Sequence, residues 1–318
     1  MVDRDHHYSG KIKDFFDLDS LNLENTHITI GNFDGVHLGH QVVIKNLLQK
    51  ARAAQAPAAV VTFFPNPSHY FRRQQAGFYL TPPDEKEALL LEMGVDHVVT
   101  LQFDRALSEL TPQAFLLGLK EKLGLGVLVI GRDFALGKNR AGTLPVIEAI
   151  GERLSFQVAP IQPVKFGERG ISSTEIRFRL DEGDVACVQK LLGRYYTIKG
   201  VVTHGADRGS RIGLPTANLD HWPQQKLPAI GVYATHVRLF DRYHQGITNV
   251  GYRPTFENQD QPNIETHILD FDGNIYNEHM ALEFVQKIRE EQKFSGVEAF
   301  LAQIERDKAT ARKIFQDD

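Results

Sequence analysis

The chain has 318 residues, enough for about two domains that each bury a core. Hydrophobic residues at 42% and charged residues at 24% exclude a fibrous or disordered chain. The 36 basic and 40 acidic side chains sum to −4, which argues against nucleic acid or an anionic membrane as the main partner.

Residues 1–19 are studded with Asp, Arg, His and Lys and do not read as a secretory signal. Nowhere do about 20 apolar residues run together, so no membrane span is predicted. The one cysteine, Cys187, rules out an internal disulfide, and a cytoplasmic location is expected. From Thr26 to about Gly193, short apolar runs alternate with helical patterns. Ile28–Ile30 reads as a buried strand. Val43, Leu47, Leu48 and Ala51 then recur at helical spacing. Ala58–Phe64 is the next strand, closed by Pro65-Asn66-Pro67. A helix over Asp84–Met93 precedes a strand over Val95–Phe103. Thr111 and Pro112 open a helix that runs to Gly124. Val127–Ile130 (strand), Leu144–Leu154 (helix) and Phe156–Ile161 (strand) follow, and helices near Thr174–Leu180 and Asp184–Leu192 end the half. This alternation predicts an α/β Rossmann-like fold, a parallel sheet with ligands at the carboxyl ends of its strands.

Beyond Leu192-Gly193 the pattern changes. Tyr195–His204, Gly231–Leu239, Ile247–Val250, Glu265–Phe271 and Met280–Ile288 are β-rich runs separated by turn residues. They predict an all-β barrel or sandwich. Ser295 is placed to cap a final helix carrying Val297, Phe300, Leu301, Ile304 and Ile314 near one stripe. The boundary falls near residues 183–194, dividing the chain into 1–186 and 187–318.

Two clusters carry chemistry. Gly31-Asn32-Phe33-Asp34-Gly35-Val36-His37-Leu38-Gly39-His40 lies between a strand and a helix. Gly35 and Gly39 let the backbone approach a ligand, and the helix start offers N–H donors to phosphate. His37 and His40, protonated or hydrogen-bonding, can offset charge on a reacting phosphorus centre. A metal pair or a plain structural turn are the competing readings. Ile171-Ser172-Ser173-Thr174-Glu175-Ile176-Arg177 is either a capped helix or a phosphate clamp. In the second half, Thr216 and Asn218 of Pro215-Thr216-Ala217-Asn218 present hard oxygens suited to Mg²⁺ carrying nucleotide phosphates. Glu265, in a strand-like run, is either a solvated residue or a base for an attacking alcohol.

These residues resemble a known family. Gly31–His40 looks like the nucleotidylyltransferase motif HxGH in the form typical of bacterial FMN adenylyltransferases, and Ile171–Arg177 like the second ATP motif of that superfamily. Gly131–Arg140 and Thr62–Pro67 are similar to its third segment and its flavin-side loop. Residues 200–218 resemble the riboflavin kinase segment carrying PTAN, and the segments after it follow in that family's order. Together the resemblances span nearly the whole chain, in the order of the bifunctional bacterial riboflavin kinase/FAD synthetase.

The resemblance implies phosphorylation of riboflavin by ATP to FMN, then adenylylation of FMN by ATP to FAD and pyrophosphate. It implies Mg²⁺ as cofactor at Thr216 and Asn218, and Glu265, His37 and His40 as catalytic residues. ATP would meet Gly31, Phe33, Asp34, Gly39, Ser172, Ser173, Thr174 and Arg177 in residues 1–186, and Gly205 and Gly213 in residues 187–318. Flavin would meet Asn66, Asp133, Arg140 and Arg289. Asn66 stands where relatives often carry His. The partners expected are riboflavin, FMN and ATP, with no nucleic acid or membrane. An enzyme keeping one of the two activities, another nucleotidylyltransferase, or a flavin-binding protein without turnover are the rival readings.

Overall fold

The structure, a computed structural model, describes residues 12–19, 23–72, 77–162, 165–166, 169–204, 214–252 and 262–318. The chain forms two compact units, Met1–Gln75 with Thr81–Ser172, and Ala76–Leu80 with Ser173–Asp318. Gly205, Arg211, Gly213 and the Pro254-Thr255 pair lie outside the described residues.

The first unit is built on a six-stranded parallel sheet of β1 (Ile12–Lys13), β2 (Thr26–Ile30), β3 (Ala58–Phe64), β4 (His97–Gln102), β5 (Leu125–Gly131) and β6 (Gln157–Ile161). Its order is β1-β4-β3-β2-β5-β6, parallel at every pairing, and a short antiparallel pair, β7 (Lys165–Phe166) with β8 (Arg169–Gly170), follows β6 in the chain. Both faces are covered. Ala59 and Val61 of β3 enter one core cluster with Leu116, Leu119 and Ile147, while Ala58 and Val60 enter another with Ile44, Leu47 and Leu90. A strand buried on both faces reads as a continuous apolar run, which is why Ala58–Phe64 was legible in sequence.

The helices are α1 (Leu38–Ala53), α2 (Pro67–Arg72), α3 (Pro83–Glu92), α4 (Arg105–Ser108), α5 (Pro112–Leu123) and α6 (Leu144–Leu154). In α5 the Thr111 hydroxyl accepts from the Ala114 amide at 3.2 Å, and Gly124 ends the helix at φ 62°. Helix α2 is absent from the sequence reading. Pro67 opens it, and Asn66 accepts the Ser68 amide at 2.9 Å.

From β2 the chain steps outward through β3 and β4, then crosses back to β5 on the other side. The strand order therefore reverses between β2 and β5, and the segments leaving these strands stand at the point where parallel sheets bind ligands. Gly31–His37 and Arg132–Arg140 are those segments.

The second unit carries α7 (Ser173–Glu182) and α8 (Val185–Leu192), then a closed antiparallel barrel. Its strands are β9 (Tyr196–Thr203), β10 (Ala217–His221), β11 (Gly231–Leu239), β12 (Arg242–Gly251), β13 (Asn263–Ile268) and β14 (His279–Arg289), in the order β10-β13-β12-β11-β14-β9. Closure leaves no open edge, and β9 completes the ring by pairing with β10. Strand β10 starts inside Pro215-Thr216-Ala217-Asn218, a strand the sequence pattern did not supply. The hydroxyls of Thr235, Thr248 and Thr266 form a buried chain at 2.8 and 2.9 Å, which satisfies each group where water is excluded.

The last helix, α9 (Val297–Asp317), departs from expectation in two ways. Gly296, with extended backbone, is the N-cap and no side chain caps it, so Ser295 does not have the predicted role. The buried positions are Asp307 and Ala311, while Val297 is 54% exposed. Asp307 occupies an apolar-stripe position because Arg289 of β14 reaches it: Nε lies 3.0 Å from both carboxylate oxygens and Nη2 2.8 Å from Oδ2. No helix among the described residues is long and apolar enough to cross a membrane.

Candidate active site

In the first unit the turn between β2 and α1 is wound tightly. Phe33 (φ 48°), Gly35 (φ 86°) and Val36 (φ 39°) all take left-handed backbone. For a β-branched residue this is costly, about 1–3 kcal/mol, and such strain is held where a precise geometry is needed. The turn ends at His37, whose backbone is extended (φ −67°, ψ 169°) and whose ring caps α1. His37 Nδ1 accepts the His40 amide at 3.2 Å. With Nδ1 engaged as an acceptor, the ring proton of neutral His37 resides on Nε2. One amide expected to face a phosphate is thus occupied by the imidazole.

His40 lies one turn on, its ring stacked on that of His37 with centroids 3.6 Å apart and planes 14° apart. Phe33 packs edge-on against it at 5.2 Å, and a side chain at Gly31 would press on the Phe33 ring at 3.0 Å. Gly39 plays the same part beside His37, where a Cβ would lie 3.1 Å from Nδ1. Burial, with smaller contributions from His37 and Lys86, pushes the His40 imidazole well below its ordinary value. Burial therefore favours the neutral, hydrogen-bonding form of this ring over the protonated one.

Sequence reasoning missed Lys86. It sits on α3 in the polar run Asp84-Glu85-Lys86-Glu87, yet it is only 6% exposed. Its Nζ donates to the Asn32 carbonyl at 3.2 Å and to the Thr62 hydroxyl at 2.9 Å. Desolvation brings its pKa down to about 8, against the opposing pull of Asp34. Asp34, also buried, accepts the Thr81 amide at 3.3 Å.

The other first-unit candidates are placed as follows. The carbonyl of Ile171 lies 3.5 Å from a Cβ built on Gly39, so the start of the second motif adjoins the turn. Ser172 is the last residue of this unit and is exposed. Asn66 is buried, its oxygen holding the Ser68 amide. Asp133 and Arg140 are both exposed on the segment that follows β5. Phe33 is 3% exposed and belongs to the core.

In the second unit, α7 begins at Ser173, with Thr174 exposed on its first turn. Arg177 donates from Nε to the Phe78 carbonyl at 2.8 Å, and its guanidinium lies 4.1 Å over the Phe78 ring. This fixes the plane of the fork.

On the barrel, strand pairing sets Asn218 of β10 and Asn249 of β12 opposite Glu265 of β13. Residues directly opposite share a face. Asn263, two positions before Glu265 and hence on that face, donates from Nδ2 to Glu265 Oε1 at 2.8 Å and to Asn218 Oδ1 at 3.1 Å. The structure thus brings Glu265 and Asn218 together through Asn263, a residue the sequence did not single out. Thr216 precedes β10 by one residue. Among the described residues no three His, Cys, Asp or Glu side chains converge as a metal cage. The neutral oxygens of Thr216 and Asn218 suit Mg²⁺, which takes few protein ligands and keeps waters and substrate phosphates. Arg289 is engaged by Asp307 and by the Glu290 carbonyl at 2.9 Å, which places its guanidinium against α9.

Comparison with known proteins covers both units. Residues 19–175 match the FAD synthetase family, and residues 192–315 the riboflavin kinase family. A bifunctional riboflavin kinase/FMN adenylyltransferase of Listeria monocytogenes is 38% identical over 293 residues, covering 92% of this chain and 93% of its own. The protein of the same name from Escherichia coli K12 is 37% identical over 306 residues, covering 96% and 97%. A Streptococcus pneumoniae crystal structure described as a macrolide-efflux protein superposes with a TM-score of 0.85 at 29% identity, covering 95% of this chain and 97% of that one.

Proposed function

Since this chain belongs to the bifunctional riboflavin kinase/FMN adenylyltransferase family, we propose a division of labour between its two sites. The chain converts riboflavin to FMN and FMN to FAD, using ATP in each step. We assign adenylyl transfer to residues 1–186 and phosphoryl transfer to residues 187–318. The observation that carries the assignment is chemical. A carboxylate sits with neutral oxygens on the barrel, whereas the turn after β2 offers two stacked imidazoles beside a buried ammonium group.

In the kinase step the nucleophile is the neutral 5′-hydroxyl of riboflavin, which benefits from a base. Glu265 takes that role: the Asn263 amide holds Oε1 at 2.8 Å and so orients the carboxylate. The hydroxyl oxygen forms a bond to the γ-phosphorus of ATP, ADP leaves with the electron pair, and Glu265 accepts the proton. Thr216 and Asn218 would hold Mg²⁺, which when bound offsets negative charge on the transferred group. Gly205 and Gly213 are retained as ATP contacts on the strength of the resemblance alone.

In the adenylyl step the attacking FMN phosphate is already anionic. It requires positioning and charge stabilisation rather than a base. A phosphate oxygen forms a bond to the α-phosphorus of ATP, and pyrophosphate leaves with the electron pair. His37 and His40 serve as neutral N–H donors, held by the cap and by Phe33. Gly31, Asp34 and Gly39 shape the turn, while Ser172, Ser173, Thr174 and Arg177 contact ATP. Asn66, Asp133 and Arg140 contact flavin. Arg289, which also holds α9 against the barrel, contacts flavin on the strength of the resemblance alone.

The test is to follow FMN and FAD separately from riboflavin and Mg-ATP. His40→Ala should stop at FMN. Glu265→Ala should make no FMN yet still convert added FMN to FAD. Simultaneous loss of both steps in either folded variant refutes the division.

A further inference from the structure

The two histidines of the first unit leave a gap in the account. Adenylyl transfer gathers negative charge around the α-phosphorus, yet burial disfavours the charged form of His40 and the cap engages His37 at Nδ1. Lys86 is the one lysine or arginine that is buried among the described residues. Taking an ammonium group out of water is costly, and groups so perturbed cluster at functional sites.

We propose that Lys86 is a positioning residue for adenylyl transfer: its ammonium group ties the glycine turn to β3 and supplies fixed positive charge at the turn that ends in His37. The inference rests on the adenylyltransferase reading of this unit. Three contacts define it. Nζ holds the Asn32 carbonyl of the turn, and it holds Thr62 Oγ1 on the neighbouring strand. Thr62 in turn donates to the same Asn32 carbonyl at 3.1 Å, so strand, turn and helix α3 meet at one oxygen. The turn pinned in this way is the one whose Phe33 and Val36 are left-handed and whose end places His37. In a water-poor setting a fixed charge acts more strongly than in solvent.

The titratable groups bearing on Lys86 are Asp34 on the turn and His40 at the start of α1; β3 presents the neutral Thr62. Asp34 favours the charged amine, and burial opposes it, so the ammonium loses its proton near pH 8. Adenylyl transfer should therefore decline as pH rises through about 8.

The test uses the full-length chain, with added FMN and Mg-ATP, and scores riboflavin phosphorylation in the same preparation as a control for folding. Lys86→Met keeps the side-chain volume and removes the charge. It should lower kcat for FAD formation by on the order of 10²-fold, leave KM for ATP little changed, and abolish the alkaline decline. Lys86→Arg should recover part of the lost kcat. Thr62→Val removes an acceptor that favours the charged amine, so the alkaline decline should move to lower pH, whereas Thr62→Ser should leave it in place. A folded Lys86→Met variant with the parent kcat, or with the alkaline decline intact, overturns the proposal. Should Lys86→Met not fold, an unmoved decline in Thr62→Val overturns it instead. Failure of the parent chain to make FAD from FMN refutes the underlying reading, which is a different result from either.

Discussion

Gly39→Ala separates what the turn does for catalysis from what it does for stability. Gly39 lies in α1, so alanine adopts its backbone without strain. The added methyl would meet His37 Nδ1 and Cε1 at 3.1 Å, and the Ile171 carbonyl at 3.5 Å. The contact at the ring is tight enough that His37 must yield by a few tenths of an ångström. Its 3.2 Å bond from the His40 amide is already long and will weaken. Losing a helix cap costs about 0.5–2 kcal/mol. Replacing glycine by alanine within a helix returns about 1 kcal/mol. The net change in stability should thus stay within about 1 kcal/mol. The rate is another matter, because displacing a catalytic group by about 1 Å can cost on the order of 10²-fold. We expect FAD formation to fall by about 10-fold to 10²-fold, with FMN formation and the thermal midpoint close to those of the parent. Separate rate measurements with FMN and with riboflavin, alongside a calorimetric scan, check this. Parent-like FAD formation, or equal loss of both products, would show that the His37 geometry does not matter.

Other perturbations address other parts of the structure. Asp307→Ala strands Arg289 beside a vacated, buried site and should cost about 3–5 kcal/mol in thermal unfolding. The double change Arg289→Met with Asp307→Leu should recover most of that loss, because an apolar pair avoids the desolvation of two charges. Asn263→Leu removes the amide that holds both Glu265 and Asn218, so kcat for riboflavin phosphorylation should drop by about 10-fold or more while FAD formation from FMN persists. For His40, the folded state disfavours the proton that the unfolded chain accepts at its ordinary value of about 6.5. The stability this confers is present above about pH 6.5 and lost as pH falls below it. Chemical denaturation across pH 5–8 should show that loss in the parent and a flatter profile in His40→Asn.

Much of this architecture was readable in the sequence where one physical cause dominates. The apolar run Ala58–Phe64 could only be a strand covered on both sides, and Thr111-Pro112 with Gly124 brackets α5 by capping alone. Likewise, His37 and His40 stand out because three-residue spacing at a strand–helix turn has few uses. What escaped was set by partners distant in the chain. Lys86 looks solvated amid Asp84, Glu85 and Glu87, and only folding brings the Asn32 carbonyl and Thr62 to it. Asn263 is an unremarkable strand residue until β10 and β13 pair. Asp307 reads as the polar side of α9 until Arg289 of β14 is placed beside it. Ser295 failed as a cap because Gly296, extended between it and the helix, shifts the start by one residue. Which of the two readings of His40, protonated or hydrogen-bonding, its surroundings favour was likewise hidden, since burial is a property of the fold and not of the motif.

The central claim, two ATP-using sites with opposed chemical needs on one chain, is tested most directly by giving riboflavin and Mg-ATP to the parent chain, to His40→Ala and to Glu265→Ala, and resolving FMN from FAD over time. The account predicts FMN then FAD from the parent, FMN alone from His40→Ala, and no product from Glu265→Ala until FMN is supplied, whereupon FAD forms. FAD produced by His40→Ala at the parent rate, or FMN produced by Glu265→Ala at the parent rate, would contradict it.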